Sequence, residues 1–80
     1  MKKKLELYYF PQCPFCQNVL HAVEQYKVEV NLKNIQLYSN YLEELIEVTN
    51  RQTVPCLFID GSPMHESRDI ISWIEENYSK

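Results

Sequence analysis

Three observations in this 80-residue chain predict an α/β domain with the element order β-α-β-α-β-β-α. Polar and apolar residues alternate over 4–9, three segments repeat apolar residues at helical spacing, and Asp60-Gly61 separates two short strand-like runs. Parallel strands need a long crossover, whereas a two-residue turn joins antiparallel neighbours. The order therefore implies a parallel βαβ unit at the front and a hairpin followed by a helix at the back.

Lys4-Leu5-Glu6-Leu7-Tyr8-Tyr9 is the first strand, and Phe10-Pro11 turns the chain out of it. Val19, Leu20, Val23 and Tyr26 then recur at helical spacing, which predicts a helix over 14–26. Pro14 suits its first position, where a missing N–H costs nothing. That places Cys13 at the helix N-terminus and Cys16 one turn in. Val28, Val30, Leu32, Ile35 and Leu37 suggest a second strand over 28–37 with an irregular start. Asn40 followed by Glu43 reads as a capping pair ahead of Leu42, Leu45 and Ile46, giving a second helix over 40–49. The nearly continuous apolar run 54–60 predicts a buried strand, and Asp60-Gly61 turns it into a short antiparallel partner at 63–65. Ser67 is positioned to cap the last helix, where Ile70, Ile71, Ile74 and Tyr78 share a face and Asp69 complements the positive first turn. Trp73 reads as packing, and there is no internal repeat.

Eighty residues suit one module, spanning 1–80, in which a site shares the chain with the only core. A hydrophobic fraction of 45% with a single glycine describes a packed domain and not a linker. The formal charge is −3, and the basic residues are scattered apart from Lys2-Lys3-Lys4. Without interleaved aromatics, that run flanks the first strand and does not argue for nucleic acid. No apolar signal segment follows it and no stretch approaches a membrane span, so neither secretion nor a membrane is expected. Three cysteines, an odd number, fit a reducing compartment. A cytoplasmic protein is the expectation.

Cys13-Pro14-Phe15-Cys16 carries the chemistry. Half a zinc site is one reading, but about four N/S ligands are needed, Cys56 is alone, and His21 and His65 are far apart in sequence. A structural disulfide is another, yet a bridge over two residues removes little chain entropy. A redox pair fits the spacing best. The attacking species is a thiolate, and the partial positive charge and unpaired N–H groups at the start of a helix stabilise an anion at Cys13. Cys13 is thus the candidate nucleophile and Cys16, less exposed, the resolving thiol. Cys56 reads as a small core residue, and the lone His65 as structural or exposed.

Element order and motifs together resemble the glutaredoxins over essentially the full length. The matching residues are Tyr8-Tyr9 leading to Cys13-Pro14-Phe15-Cys16, then Thr53-Val54-Pro55, then Phe58-Ile59-Asp60-Gly61, then the final helix from Ser67. Glu66-Ser67 is also similar to the glutathione-binding pair of glutathione transferase N-terminal domains, although no residues are left for the helical second domain of a transferase. The resemblance implies a thioredoxin fold, a four-stranded mixed sheet flanked by three helices. It also implies a glutathione-dependent thiol–disulfide oxidoreductase with a redox-active Cys13–Cys16 disulfide, glutathione as co-substrate and no tightly bound cofactor. Its partners would be glutathionylated or disulfide-containing proteins, and the protein would be a monomer. Pro55 would be cis and face the nucleophile, presenting the Val54 backbone to the cysteinyl part of glutathione. Ser67 and the Arg68 N–H would hold the γ-glutamyl carboxylate, Glu66 or Asp69 the ammonium, and Arg51 or Gln52 the glycyl carboxylate, with Phe15 and Thr53 beside them. Many glutaredoxins carry lysine three residues before the nucleophile and a Gly-Gly pair before the last helix, where this chain has Phe10 and His65-Glu66. Two other functions are compatible with the motifs. One is an iron–sulfur carrier sharing a cluster between two chains and two glutathiones, against which Pro14 and Cys16 argue. The other is a glutathione-binding module without turnover.

Overall fold

The computed structural model describes residues 4–78, in the order β1 (Leu5–Tyr9), α1 (Pro14–Gln25), β2 (Asn31–Asn34), α2 (Ser39–Thr49), β3 (Cys56–Ile59), β4 (Ser62–Met64) and α3 (Ser67–Tyr78). Lys2 and Lys3 lie outside the described residues. The sheet runs β2-β1-β3-β4, with β1 parallel to β2 and the other two pairs antiparallel. This is the predicted thioredoxin fold: a four-stranded mixed sheet with three helices.

Strand alternation divides the molecule. Leu5 and Leu7 of β1 and Leu57 of β3 point to one face, where Val19 and Ala22 of α1 and Ile70 and Ile74 of α3 close over them. Tyr8, Cys56 and Phe58 point to the other, against Leu45 of α2. The register explains the segregation, since Leu7 lies opposite Leu57 and Tyr8 opposite Cys56, and directly paired residues share a face. Asp60 and Gly61 both take positive φ, 51° and 90°, as a type I′ hairpin turn requires. Asp60 also ties the hairpin to β1, because its N–H donates to the Lys4 carbonyl and its Oδ1 accepts from the Lys4 N–H.

Three local expectations change. The second strand is only Asn31–Asn34. Val28 belongs to the exit of α1, where Lys27 adopts φ 52° and the Val28 N–H donates to the Val23 carbonyl. Leu37 is exposed in a turn, with the Gln36 and Leu37 N–H groups donating to Asn34 Oδ1. Helix α2 starts two residues earlier than an Asn40 cap implies. Its N-cap is Tyr38 with no side-chain cap, which leaves Asn40 inside the first turn. In α3 the Ile70 N–H donates to the Glu66 carbonyl, so Glu66 is the N-cap and Ser67 the first helical residue. The main-chain N–H groups of Ser67 and Arg68 thus belong to the turn that lacks intrahelical partners.

Candidate functional site

The Cys13 backbone is extended, φ −76° and ψ 120°, and forms the N-cap of α1 with Pro14 after it. Two backbone bonds hold it there: the Cys13 N–H donates to the Phe10 carbonyl at 3.2 Å, and its own carbonyl accepts from the Gln17 N–H at 3.0 Å. Gln17 also reaches back with its side chain, donating from Nε2 to the Pro11 carbonyl at 2.8 Å. No periodic pattern marks Gln17, because an exposed polar residue on a helix has no signature in sequence. It nonetheless anchors the loop that presents Cys13.

Cys13 is 8% exposed and Cys16 fully buried, and both thiols are free. Burial pushes the Cys16 thiol up to about 12 from an ordinary 9. A hydrogen bond from the Phe10 backbone works against this, while a hydrogen bond with Cys13 works with it. Near neutral pH Cys16 therefore keeps its proton.

A cleft of about 290 Å³ is lined by Phe15 from α1 and by Thr53, Val54 and Pro55 ahead of β3. Glu66, Ser67 and Arg68 at the start of α3 complete it. Cys13 and Cys16, neighbours of Phe15 along the chain, are not among the lining residues. The Val54–Pro55 bond is cis, as the Thr-Val-Pro context implies. Residues from three distant parts of the chain meet here because α3 packs on both α1 and β3. Phe15 keeps 61% of its surface in water. The predicted Arg51, Gln52 and Asp69 are exposed and lie outside the lining of this cleft. The Arg51 backbone is held at the end of α2, which closes with Asn50 at φ 58°: Thr49 Oγ1 donates to the Leu45 carbonyl, and the Arg51 N–H donates to Thr49 Oγ1. A larger and shallower depression, about 480 Å³, lies at the opposite end of the sheet around Lys4 and Val28 and holds none of the predicted residues.

Cys56 is fully buried on the α2 face, with its thiol raised to about 11 by burial against opposing influences from the Met64 backbone and Arg51. It packs with Tyr8, Leu45 and Phe58 as a small core residue. His65 is half-buried, and its Nδ1 is inaccessible and without a partner. Among the described residues no group of three His, Cys, Asp or Glu side chains is arranged to hold a metal ion. No helix among them is long and apolar enough to cross a membrane.

Comparisons with known proteins converge on one family. Residues 7–80 match the family described as glutathione S-transferase, N-terminal domain. Glutathione S-transferase D7 of Anopheles gambiae is 30% identical over 76 residues, which cover 92% of this chain and 35% of the relative. Among solved structures, a delta-class glutathione transferase of Nilaparvata lugens is 32% identical with a TM-score of 0.78, covering 95% of this chain and 37% of its own. A glutathione S-transferase of the Antarctic clam Laternula elliptica has a TM-score of 0.80 at 28% identity, covering 96% and 36%. The chain thus spans about a third of the length of these relatives.

Proposed function

The chain belongs to the family of glutathione S-transferase N-terminal domains, and on that premise we propose that it binds glutathione and works as a glutathione-dependent thiol–disulfide oxidoreductase through Cys13 and Cys16. Glutathione is the part of the reading that the family supports. Disulfide reduction is the finer part, in which the chain acts as a glutaredoxin does, and one observation carries it. Two thiols stand one helical turn apart at the N-terminus of α1, the inner one raised to about 12 and hydrogen-bonded to the outer. An exchange site needs a thiol that attacks and a second that waits protonated.

In the proposed mechanism the γ-glutamyl carboxylate meets the free N–H groups of Ser67 and Arg68 at the start of α3, with Glu66 or Asp69 near the ammonium and Arg51 or Gln52 near the glycyl carboxylate. Thr53, Val54 and Phe15 wall the cysteinyl part. The Cys13 thiolate attacks the glutathione sulfur of a mixed disulfide, forming Cys13–S–S–glutathione and releasing the other half as a thiolate, which takes a proton from water. A second glutathione, as thiolate, then attacks the same sulfur and restores Cys13 with formation of glutathione disulfide. For a protein disulfide, Cys13 attacks one sulfur and releases the other as a thiolate. Cys16 then gives its proton to solvent and attacks the Cys13 sulfur, breaking its bond to the substrate, whose second thiolate leaves. Two glutathiones later reduce the internal disulfide with formation of glutathione disulfide.

A second reading, conjugation of glutathione to an electrophile, is favoured by the names of the matched relatives. One set of assays separates the two. Wild type, Cys13→Ser and Cys16→Ser are compared in glutathione-dependent reduction of the glutathione–2-mercaptoethanol mixed disulfide, and in conjugation to 1-chloro-2,4-dinitrobenzene. We expect reduction by wild type and Cys16→Ser and none by Cys13→Ser. Full reductase activity in Cys13→Ser would sink the assignment, and conjugation without reduction in wild type would select the transferase reading.

A further inference from the structure

Resting on the oxidoreductase reading, we propose that Phe15 selects the half of the mixed disulfide that is not glutathione, favouring disulfides whose leaving thiol carries an aromatic or comparably flat apolar group close to sulfur. Phe15 follows the nucleophile by two positions and lines the cleft together with Val54 and Pro55, yet 61% of it stays in water. The ring is therefore shared between the cleft and the solvent beyond its rim. Most large apolar side chains of α1 are buried or half-buried against the core; Phe15 is the exception on that helix. The opposite part of the cleft is polar, formed by Glu66, Ser67 and Arg68, and suits the charged end of glutathione. Cys13 is the N-cap of α1 and Phe15 lies in its first turn, so glutathione lying from Ser67 towards Cys13 would bring the leaving half of its mixed disulfide to the part of the ring that is open to water.

The chemistry sets the form of the selection. Cys13–S⁻ attacks the glutathione sulfur, the new Cys13–S bond forms as the bond to the leaving sulfur breaks, and the leaving thiolate carries off the electron pair and is protonated by water. A flat apolar group on that sulfur can stack on Phe15 both before and during departure, removing apolar surface of both from water. A small hydroxyl-bearing group gains little from the same ring. Phe15 is thus a specificity determinant that touches substrate, whereas proton and electron transfer stay with Cys13 and glutathione.

The test compares two glutathione mixed disulfides, one of phenylmethanethiol and one of 2-mercaptoethanol, whose thiols are close in acidity so that leaving-group ability is matched. Wild type, Phe15→Ala and Phe15→Tyr are assayed for kcat/KM on each at saturating glutathione. We expect Phe15→Ala to lower the ratio of kcat/KM on the aromatic substrate to that on the other by about ten-fold, the range typical of an apolar pocket contact, on top of any loss the two substrates share through glutathione; Phe15→Tyr should restore the ratio. Circular dichroism serves as the folding control, and an exposed side chain should pass it. Equal losses on both substrates would overturn the proposal alone, since Phe15 would then serve glutathione. Turnover of neither substrate by wild type would sink the oxidoreductase reading and the proposal with it.

Discussion

On one face of the sheet α1 and α3 close over Leu5, Leu7 and Leu57 with Val19, Ile70 and Ile74, an apolar layer without a charge in it. On the other, α2 covers Tyr8, Phe58 and Cys56 with Leu45, and beside that small cluster sits Lys33. Its Nζ lies 2.8 Å from Glu6 Oε2 and 3.3 Å from Glu44 Oε1, donates to the Tyr8 hydroxyl at 3.4 Å, and stands over the Tyr8 and Tyr41 rings. The Tyr8 hydroxyl donates in turn to Glu44 Oε1 at 2.9 Å. Burial by itself would lower the Lys33 amine; hydrogen bonds with Glu6 and Tyr8 outweigh it and raise the group. Tyr8 is raised by burial and by its bond to Glu44, which outweigh Lys33. The contrast teaches where the site takes its rigidity. Cys13 and the start of α3 are both mounted on the apolar face, whereas the α2 face reaches the cleft through Val54, which packs in its cluster and lines the cleft.

The largest effect that would test this division comes from cutting the two faces separately. Leu7→Ala should cost towards the upper end of the ~2–5 kcal/mol typical of such truncations, because Leu7 is fully buried between two helices that cannot both collapse on the cavity. Leu45→Ala should cost towards the lower end, since the half-buried Ile35, Tyr41 and Val54 around it can relax. Urea titration reads both. The division breaks if Leu45→Ala, still folded, loses more glutathione-dependent turnover than Leu7→Ala.

A smaller effect is expected from Lys33→Met. Removing the cation leaves the Glu6 carboxylate, only 15% exposed, without its partner, which should destabilise by about 1–3 kcal/mol. Turnover should stay within about two-fold of wild type at a temperature where the variant is folded, because Glu6, Tyr8, Lys33 and Glu44 all lie outside the lining of the cleft. A large loss of turnover at unchanged stability would show that the two faces are coupled.

The smallest effect lies in pH. Cys16 and Cys56 hold their protons more tightly in the fold, at about 12 and about 11 against an ordinary 9. Below pH 9 both are protonated folded and unfolded, and their contribution is fully present. Above it the unfolded chain ionises first, so stability is lost as pH rises through about 11 and then about 12. Tyr8 and Lys33, also raised, act in the same direction. Thermal melts should be flat between pH 7 and 8.5 and fall beyond pH 9, less steeply in Lys33→Met. Stability that rises above pH 9 would contradict the sign.

Much of this was legible in sequence. Helix α1, the Asp60-Gly61 turn and the apolar face of α3 follow from spacing and turn chemistry, which act between near neighbours. The second strand and the α2 cap were misjudged for one reason. Val28 and Asn40 carry the right residue types, but a helix exit at Lys27 and an Asn34 side-chain turn compete for the same few residues, and packing decides between them. The Lys33 network was invisible, since its members are spread over β1, β2 and α2 and each alone looks like a solvated charge.

The element order, the position of Cys13 ahead of Pro14 at a helix start, and Cys16 one turn behind it are legible in the chain, because these depend on periodicity and on neighbours within a few residues. Its resemblance to known families pointed to the Thr53-Val54-Pro55 and Glu66-Ser67 segments without bringing them together. Only the tertiary structure decided that Phe15, Val54 and Ser67 wall one cleft, that Cys16 holds its proton while Cys56 lies on the opposite face, and that Phe15 stands open to water. Burial and proton affinity depend on which distant segments exclude water from a group, and that is known only once the helices have packed on the sheet.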